Sequence, residues 1–575
     1  MNPFNANYFV GYVNHVSPQY VKVHFPSSTL LNKHIFSGEE FNGGLIGNFV
    51  TIEGENLGFI GRIAELDLPE KERLSLSEKA FQSSDFHPTA KVEILLSFDY
   101  FDSSNAQKTL SSFPNIGSKV YICPSKFIQK YVINFGEKDK QNGLLINLGH
   151  LTSNKDTQVK ISQQAMFSRH CAIVGTTGGG KSWTVAKLIE GMIKNHTKTI
   201  LIDPTGEYST LTQSSNTDTE SAVLGSEASF SYHKLTTEDL FFLVKPSGRI
   251  QAPKLQEAIR SLKCVQSNIK NISYFSDFVT ERGNLKKDGM DVIKFERFCY
   301  EHPELDDNHL NFDIKALERQ ITYECVYNNG TTYGNQSPND LSYCVSLITR
   351  IGNMRKTKIL QSVLGLDKDQ ERNDLTKIID DFLMPTQKDK LLLRIGFEKI
   401  GFEYQAREIV ANAIGTYLLD KSRKNEFRHF PIVLILDEAH QFLNNKVVDE
   451  YFETSTLSAF DQIAKECRKY GLFLCIATQM PKDIPIGTLS QMGTFIVHRL
   501  INYNDKEAIK QACSSADLDL LSFLPMLGSG EAILTGVDFP MPLILKIDEP
   551  EIPPDSKTPV FSNIRSYKEM SGKVL

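Results

Sequence analysis

His170-Cys171-Ala172-Ile173-Val174-Gly175-Thr176-Thr177-Gly178-Gly179-Gly180-Lys181-Ser182-Trp183 is the stretch that decides the fold. A short apolar run passes through a glycine-rich turn into Lys181–Lys194, where Val185, Leu188, Ile189 and Met192 recur at helical spacing. Thr199–Ile202 is a second apolar run. Strand, turn, helix and strand form a βαβ unit, which predicts a parallel sheet. Gly175 to Ser182 fits G-x-x-x-x-G-K-[ST]. Glycines let the backbone wrap phosphates with N–H groups pointing inward, and the following helix presents its positive end. Lys181 is the residue type that neutralises the β- and γ-phosphate oxygens of ATP, and the Ser182 hydroxyl suits Mg²⁺. The candidate nucleotide-binding set is Gly175, Thr176, Thr177, Gly178, Gly179, Gly180, Lys181, Ser182 and Trp183.

A second run, Ile432–Leu436, ends in Asp437-Glu438. Unbroken apolarity suits a strand of a parallel sheet buried on both faces. Its carboxylates then emerge at the C-terminal edge, where ligands of open α/β sheets bind. Asp437 is the candidate Mg²⁺ ligand and Glu438 the group that polarises the attacking water, both facing the loop from an adjacent strand. The ordinary alternative is a strand end with solvated acids. Asp437-Glu438-Ala439-His440 spells DEAH, but no further motif of that helicase class follows, and His440 is read as a plain surface or core histidine. Cys475-Ile476-Ala477-Thr478-Gln479 is another strand with a polar end, placing Gln479 where it could touch the γ-phosphate or the water.

Arg468 follows a helix whose apolar stripe is Leu457, Phe460, Ala464 and Cys467. It lies roughly 100° round from Cys467, so it points away from its own ATP and toward a neighbouring subunit. Arginine supplied in trans stabilises charge on a transferring phosphoryl group. Arg169 and Arg499 are weaker candidates for that role.

Outward from this core, residues 1–150 carry short period-2 segments at Tyr8–Val13, Val21–Phe25, Phe49–Glu53, Phe59–Ile63, Val92–Tyr100 and Val120–Cys123. Turn signals such as Gly43-Gly44 and Gly54-Glu55-Asn56 separate them, predicting a small barrel. Residues 215–388 show helical spacing near Leu255–Leu262, Leu341–Ile351 and Leu375–Leu383, predicting a mostly helical insertion. The α/β pattern occupies 151–214 and resumes over 389–550. Residues 551–575 read as a C-terminal arm, extended or disordered.

The chain has 575 residues, 41% of them hydrophobic, enough for several domains. Nine cysteines are scattered with no CxxC or CxxH, so they read as core residues in a reducing compartment. No apolar run is long enough to cross a bilayer, and no secretory signal is visible, which makes a cytoplasmic protein with no membrane the expectation. A net charge of −6 argues against a broad basic nucleic-acid face, though a ring can hide a few cations in its channel.

Together these motifs resemble the HerA family, within the HerA/FtsK division of P-loop motors. The resemblance rests on Arg169 to Ser182, Asp203-Pro204-Thr205-Gly206-Glu207-Tyr208, the Leu436-Asp437-Glu438-Ala439-His440 strand end, Arg468-Lys469-Tyr470-Gly471, Ala477-Thr478-Gln479-Met480-Pro481 and Gly530-Glu531-Ala532. It implies a RecA-like core, an N-terminal HAS-barrel-like assembly domain, and a homohexamer with ATP sites between subunits. Carried over, Lys181, Ser182, Asp437 and Glu438 are the ATPase residues and Gln479 is a sensor. Arg468 and Arg169 look like the groups that reach the neighbour's nucleotide. Asp203 and Glu207 lie near the site without an assigned role. The family translocates double-stranded DNA, usually with a partner nuclease; some members assemble with nucleases or sirtuin-like NAD-hydrolases in defence against phage. A motor driving duplex DNA is the first expectation. An ATP-regulated scaffold that activates an effector is the second, and a conjugative DNA-transfer ATPase the third.

Overall fold

The computed structural model describes residues 2–556, except 19, 37–38, 43–45, 70–85, 101–105, 108–111, 135–142, 153–154, 156, 214–217, 267–274, 367–372, 388, 444–456, 514–519, 538 and 540. The Gly43-Gly44 turn and positions 557–575 of the expected arm lie outside the described residues.

Six antiparallel strands close into a barrel: β1 (Phe9–Val16), β2 (Tyr20–His24), β3 (Phe49–Glu53), β4 (Leu57–Asp67), β5 (Thr89–Asp99) and β6 (Lys119–Ile122). Their order is β2-β1-β6-β3-β4-β5, and β5 pairs back onto β2. Val10, Val21, Val23, Ile52, Phe59, Ile63, Val92 and Val120 fill the interior. The alternation in β5 is only half the story, because Leu95 and Ser97 on the other face are also buried. Leu95 and Phe98 pack with Phe127 of the helix Ser125–Asn134, which ties the barrel wall to the second domain.

An eleven-stranded sheet forms that second domain. Its strands are β7 (Leu145–Leu151), β8 (Gln158–Ser162), β9 (His170–Val174), β10 (Thr199–Asp203), β11 (Thr219–Val223), β12 (Leu392–Gly396), β13 (Ile432–Leu436), β14 (Leu472–Thr478), β15 (Met492–His498), β16 (Glu531–Gly536) and β17 (Leu543–Ile547). The order is β8-β7-β17-β16-β15-β9-β14-β13-β10-β12-β11. From β15 to β11 neighbouring strands are parallel; β16, β17, β7 and β8 extend the sheet antiparallel. The expected α/β class with an N-terminal barrel is what the chain adopts. Two boundaries differ from the sequence reading. β7 begins before residue 150 and β11 lies within 215–388, yet both belong to the large sheet. Their few side chains carry no pattern that distinguishes sheet edge from barrel or insertion.

Alternate residues of the central strands supply the two cores. Ile173, Leu201, Ile435 and Cys475 pack against Val185, Leu188, Ile189 and Met192 of α1 (Lys181–Lys194). Ala172, Val174, Ile202, Leu434 and Ile476 face the opposite layer. That layer joins α2 (Gly248–Gln266) and α3 (Pro338–Lys356) of the insertion to α4 (Ala406–Arg423) and α5 (Ala459–Glu466), and the insertion shares its core with the sheet. Among the described residues no helix is long and apolar enough to cross a membrane.

Candidate nucleotide site

Parallel register brings the chemistry to one edge. Val174 lies beside Thr478 and Val497, and Leu436 beside Ile202 and Ile476. The residues that leave these strands, Gly175, Asp437, Gln479 and Arg499, therefore emerge at a common C-terminal rim. The acidic strand is not adjacent to the loop strand as expected from sequence: β14 stands between β9 and β13. That interposition puts Gln479 between the loop and the acids.

The loop is shaped by glycine where glycine is required. Gly178 has φ +74° and Gly180 φ +110°. A Cβ on Gly180 would lie 2.8 Å from Gly530 Cα, and one on Gly175 would lie 2.5 Å from His498 Cβ. Backbone bonds hold the loop in place: Gly175 N–H donates to Thr478 O, Thr176 N–H to Arg499 O, and Gly530 N–H to Gly179 O. Arg499 contributes its carbonyl here while its side chain is exposed.

His498 forms the floor under the loop, a role the sequence did not signal. Its Nδ1 is 2.9 Å from Glu531 O and its Nε2 2.7 Å from Thr184 Oγ1. Since a carbonyl only accepts, the proton sits on Nδ1, and Nε2 accepts from the Thr184 hydroxyl. Burial lowers the His498 pKa to about 4, so the ring stays neutral.

Lys181, Asp437 and Glu438 are all buried. The Lys181 ammonium lies 2.6 Å from Glu438 Oε1 and 3.9 Å from Asp437 Oδ1. Gln479 Nε2 donates to the same Glu438 oxygen at 2.6 Å, and Thr177 Oγ1 donates to Gln479 Oε1 at 2.6 Å. Glu438 sits at φ +44°, a left-handed conformation that costs a side-chain-bearing residue on the order of 1–3 kcal/mol. His440, read from sequence as an ordinary histidine, has Nδ1 3.3 Å from Glu438 Oε2 and 3.3 Å from Thr478 Oγ1. Burial lowers its pKa, against the pull of the Glu438 charge. Burial also raises the Asp437 pKa to about 7; Lys181 opposes that shift, and Glu438, Asp203 and Glu207 add to it.

The turn after β10 supplies the third wall. Asp203 is fully buried and accepts from Arg394 Nε at 2.8 Å, Gly206 N–H at 2.8 Å and Tyr208 N–H at 3.1 Å. It is a turn-maker, and the turn aims Glu207 so that Ser182 Oγ donates to its Oε2 at 2.8 Å.

Lys181, Ser182, Glu207 and Gln479 line a cavity of about 390 Å³. Thr176, Thr177, Gly178, Trp183, Ile547 and Ser556 line it as well. Residues 548–556 run beside it as a strap. Lys194 pairs with Glu551 at 2.7 Å, Thr210 Oγ1 donates to Pro553 O, and Asp555 N–H donates to Glu207 O.

The two arginine candidates are elsewhere. Arg169 precedes β9 and Arg468 precedes β14, so both stand at the N-terminal rim, a strand length of roughly 16 Å from the loop. Arg468 is exposed and shares a second cavity, of about 580 Å³, with Arg428 and Lys469; no carboxylate is among the described residues that line it. Arg169 is half-buried, its stem against Gly493.

The chain matches family models for the central domain of helicase HerA over residues 146–317 and for the HerA-like C-terminal domain over residues 428–560. The first match begins at β7 and reaches into the insertion, where no motif was visible. A probable helicase of Methanocaldococcus jannaschii is 25% identical, the alignment covering 88% of this chain and 86% of that protein. A probable DNA double-strand break repair helicase HerA of the same organism is 26% identical over 70% of this chain and 76% of its own length. Among solved structures, the bacterial conjugative coupling protein TrwB matches with a TM-score of 0.42 and 11% identity, covering 77% of this chain and 95% of that one. With the two domain matches in order and spanning more than half of its length, the chain belongs to the HerA-like P-loop ATPases.

Proposed function

We propose that this ATPase works as a homohexameric ring in which ATP hydrolysis moves double-stranded DNA. One observation carries the reading: Lys181 and Gln479 line one cavity at one rim, with Glu438 bonded to both and Asp437 behind Lys181, while Arg169 and Arg468 stand at the other rim. A subunit so built holds a phosphate pocket on one side and cations for a neighbour's pocket on the opposite side. The DNA substrate is supported by relatives described as DNA double-strand break repair helicases.

The roles follow from position. The loop amides and Lys181 hold the phosphates, and because Lys181 has one ammonium, engaging the γ-phosphate draws it from Glu438. That exchange leaves Glu438 with Gln479 and His440, free to accept a proton from the attacking water. Gln479 touches both the Glu438 carboxylate and Thr177, so it reports the occupant of the loop to the base. Arg468 and Arg169 stabilise charge on the neighbour's transferring phosphoryl group.

Mg²⁺ fits the same pocket. Asp437 Oδ1 is buried with no hydrogen-bond partner, and the Ser182 hydroxyl and Glu207 carboxylate are paired beside it. Among the described residues no cluster of three acidic, His or Cys side chains could hold a metal alone. Mg²⁺ usually takes only one or two protein groups and completes its shell with phosphates and water. Ser182 and Asp437 would hold it, and it would supply positive charge that offsets the phosphates' negative charge.

A partner effector, a nuclease or a sirtuin-like NAD-hydrolase, is the second part of the reading, with the ring acting as its ATP-regulated scaffold. The barrel favours it: Tyr12, Phe113 and Ile116 are exposed on the chain around β1 and β6, and apolar side chains so placed suit protein docking.

The test is steady-state ATP hydrolysis by the purified chain with and without linear duplex DNA. Stimulation by DNA that is absent from Glu438→Gln supports the motor. Hydrolysis indifferent to DNA, together with a co-purifying effector lost on Ile116→Ser, replaces the motor with the scaffold.

A further inference from the structure

We infer that Lys546, on β17, is a second phosphate-binding cation of the nucleotide site, meeting a phosphate that ATP and ADP share. This rests on the cavity around Lys181 being an ATP site. Lys546 lines that cavity together with Gly180, Ser182, Trp183, Ser529 and Gly530. Its ammonium donates to the Ser529 carbonyl. Ser529 Oγ in turn donates to Gly178 O at 3.2 Å, and Gly530 N–H to Gly179 O at 2.9 Å. The β16–β17 hairpin is thus bonded to the loop, with Lys546 beside the start of α1.

The charges nearby leave Lys546 without an anion. Its cross-strand neighbour Glu531 turns back to accept Gly528 N–H at 2.7 Å. Asp548, two residues on, pairs with His150 at 2.8 Å. Among the described residues the Lys546 ammonium has no carboxylate partner, only the Ser529 carbonyl. A half-buried cation with two unused donors facing a phosphate loop is a binding group in search of an anion.

Position decides which phosphate. Asp437, Glu438, Gln479 and Thr177 mark the γ end. Lys546 is tied instead to the loop backbone, through Ser529 to Gly178 O. Among the described residues Lys546 makes no bond to the Glu438–Gln479 group, so it meets a phosphate that ATP and ADP share. Its contribution is therefore the same for substrate and product, unlike that of Lys181.

The experiment is titration of the full chain with fluorescent ATP and ADP analogues, with hydrolysis measured in parallel, for wild type, Lys546→Met and Lys546→Arg. Loss of the charge should weaken both nucleotides by about tenfold and raise KM without changing kcat, as removal of uniform binding does. Lys546→Arg should restore affinity, and added salt should shrink the gap between wild type and Lys546→Met. Equal affinity of wild type and Lys546→Met, or a loss that arginine does not repair and salt does not alter, overturns the proposal and leaves Lys546 as a turn-capping residue. If wild type itself binds neither analogue, the parent reading of the cavity fails as well.

Discussion

The Lys181 ammonium is 2.6 Å from Glu438 Oε1, a contact that joins the phosphate loop to the residue placed to activate water. Lys181 cannot serve a γ-phosphate and hold this carboxylate equally well. Replacing Glu438 with Gln keeps the shape, removes the charge and leaves Lys181 to the phosphates. ATP binding should persist, and hydrolysis should fall by about 10²–10⁴-fold. Nucleotide titration beside a phosphate-release assay separates the two.

Asp437 gives a pH signature. Its folded pKa is raised to about 7, above its ordinary value of 3.8. Between those values the folded chain keeps a proton that the unfolded chain releases. This contribution to stability is complete below about 4 and is lost as pH rises through about 7. Asp437→Asn holds a neutral group at all pH values. Without nucleotide, its melting temperature should match wild type near pH 4 and exceed it near pH 8.

Arg394 and Asp203 form a buried pair at 2.8 Å. Arg394→Met strands the Asp203 carboxylate in the core, which costs about 3–5 kcal/mol. The change should be visible as a lowered denaturant midpoint. Adding Asp203→Asn should recover part of the loss, since the carboxylate that remains without Arg394, Glu398, is partly exposed.

If Arg468 acts on a neighbour, the defects of Arg468→Ala and Glu438→Gln belong to different subunits. Each variant alone should be inactive. Mixed and reassembled, they should regain a fraction of wild-type hydrolysis, because some interfaces then carry both intact groups. Mixtures that stay inactive would show that Arg468 does not act across the interface.

The core was legible because its chemistry and its folding signal coincide. The apolar runs at His170–Val174 and Ile432–Leu436 mark strands buried on both faces, and their polar ends sit at the shared rim. Strand order was not legible: β14 lies between β9 and β13, and nothing in either run records its neighbour. β16 and β17 were missed as strands, although Gly530-Glu531-Ala532 was noticed, because short antiparallel additions have no helical crossover to announce them. His498 and Lys546 were missed for the same reason, since they reach the loop through tertiary pairing. Glu207 was noticed without a role until its hydrogen bond with Ser182 supplied one.

Leu151 on β7 is the ladder partner of Leu545 on β17, about 400 positions later in the chain. During synthesis β7 emerges early and its bonding edge stays bare until almost everything else has left the ribosome. Such distant pairing is slow to form and leaves an open strand available to other nascent chains. High-yield production should therefore depend on chaperone supply and slow translation, and premature stops before Leu543 should yield inclusion bodies in place of a soluble truncated ATPase.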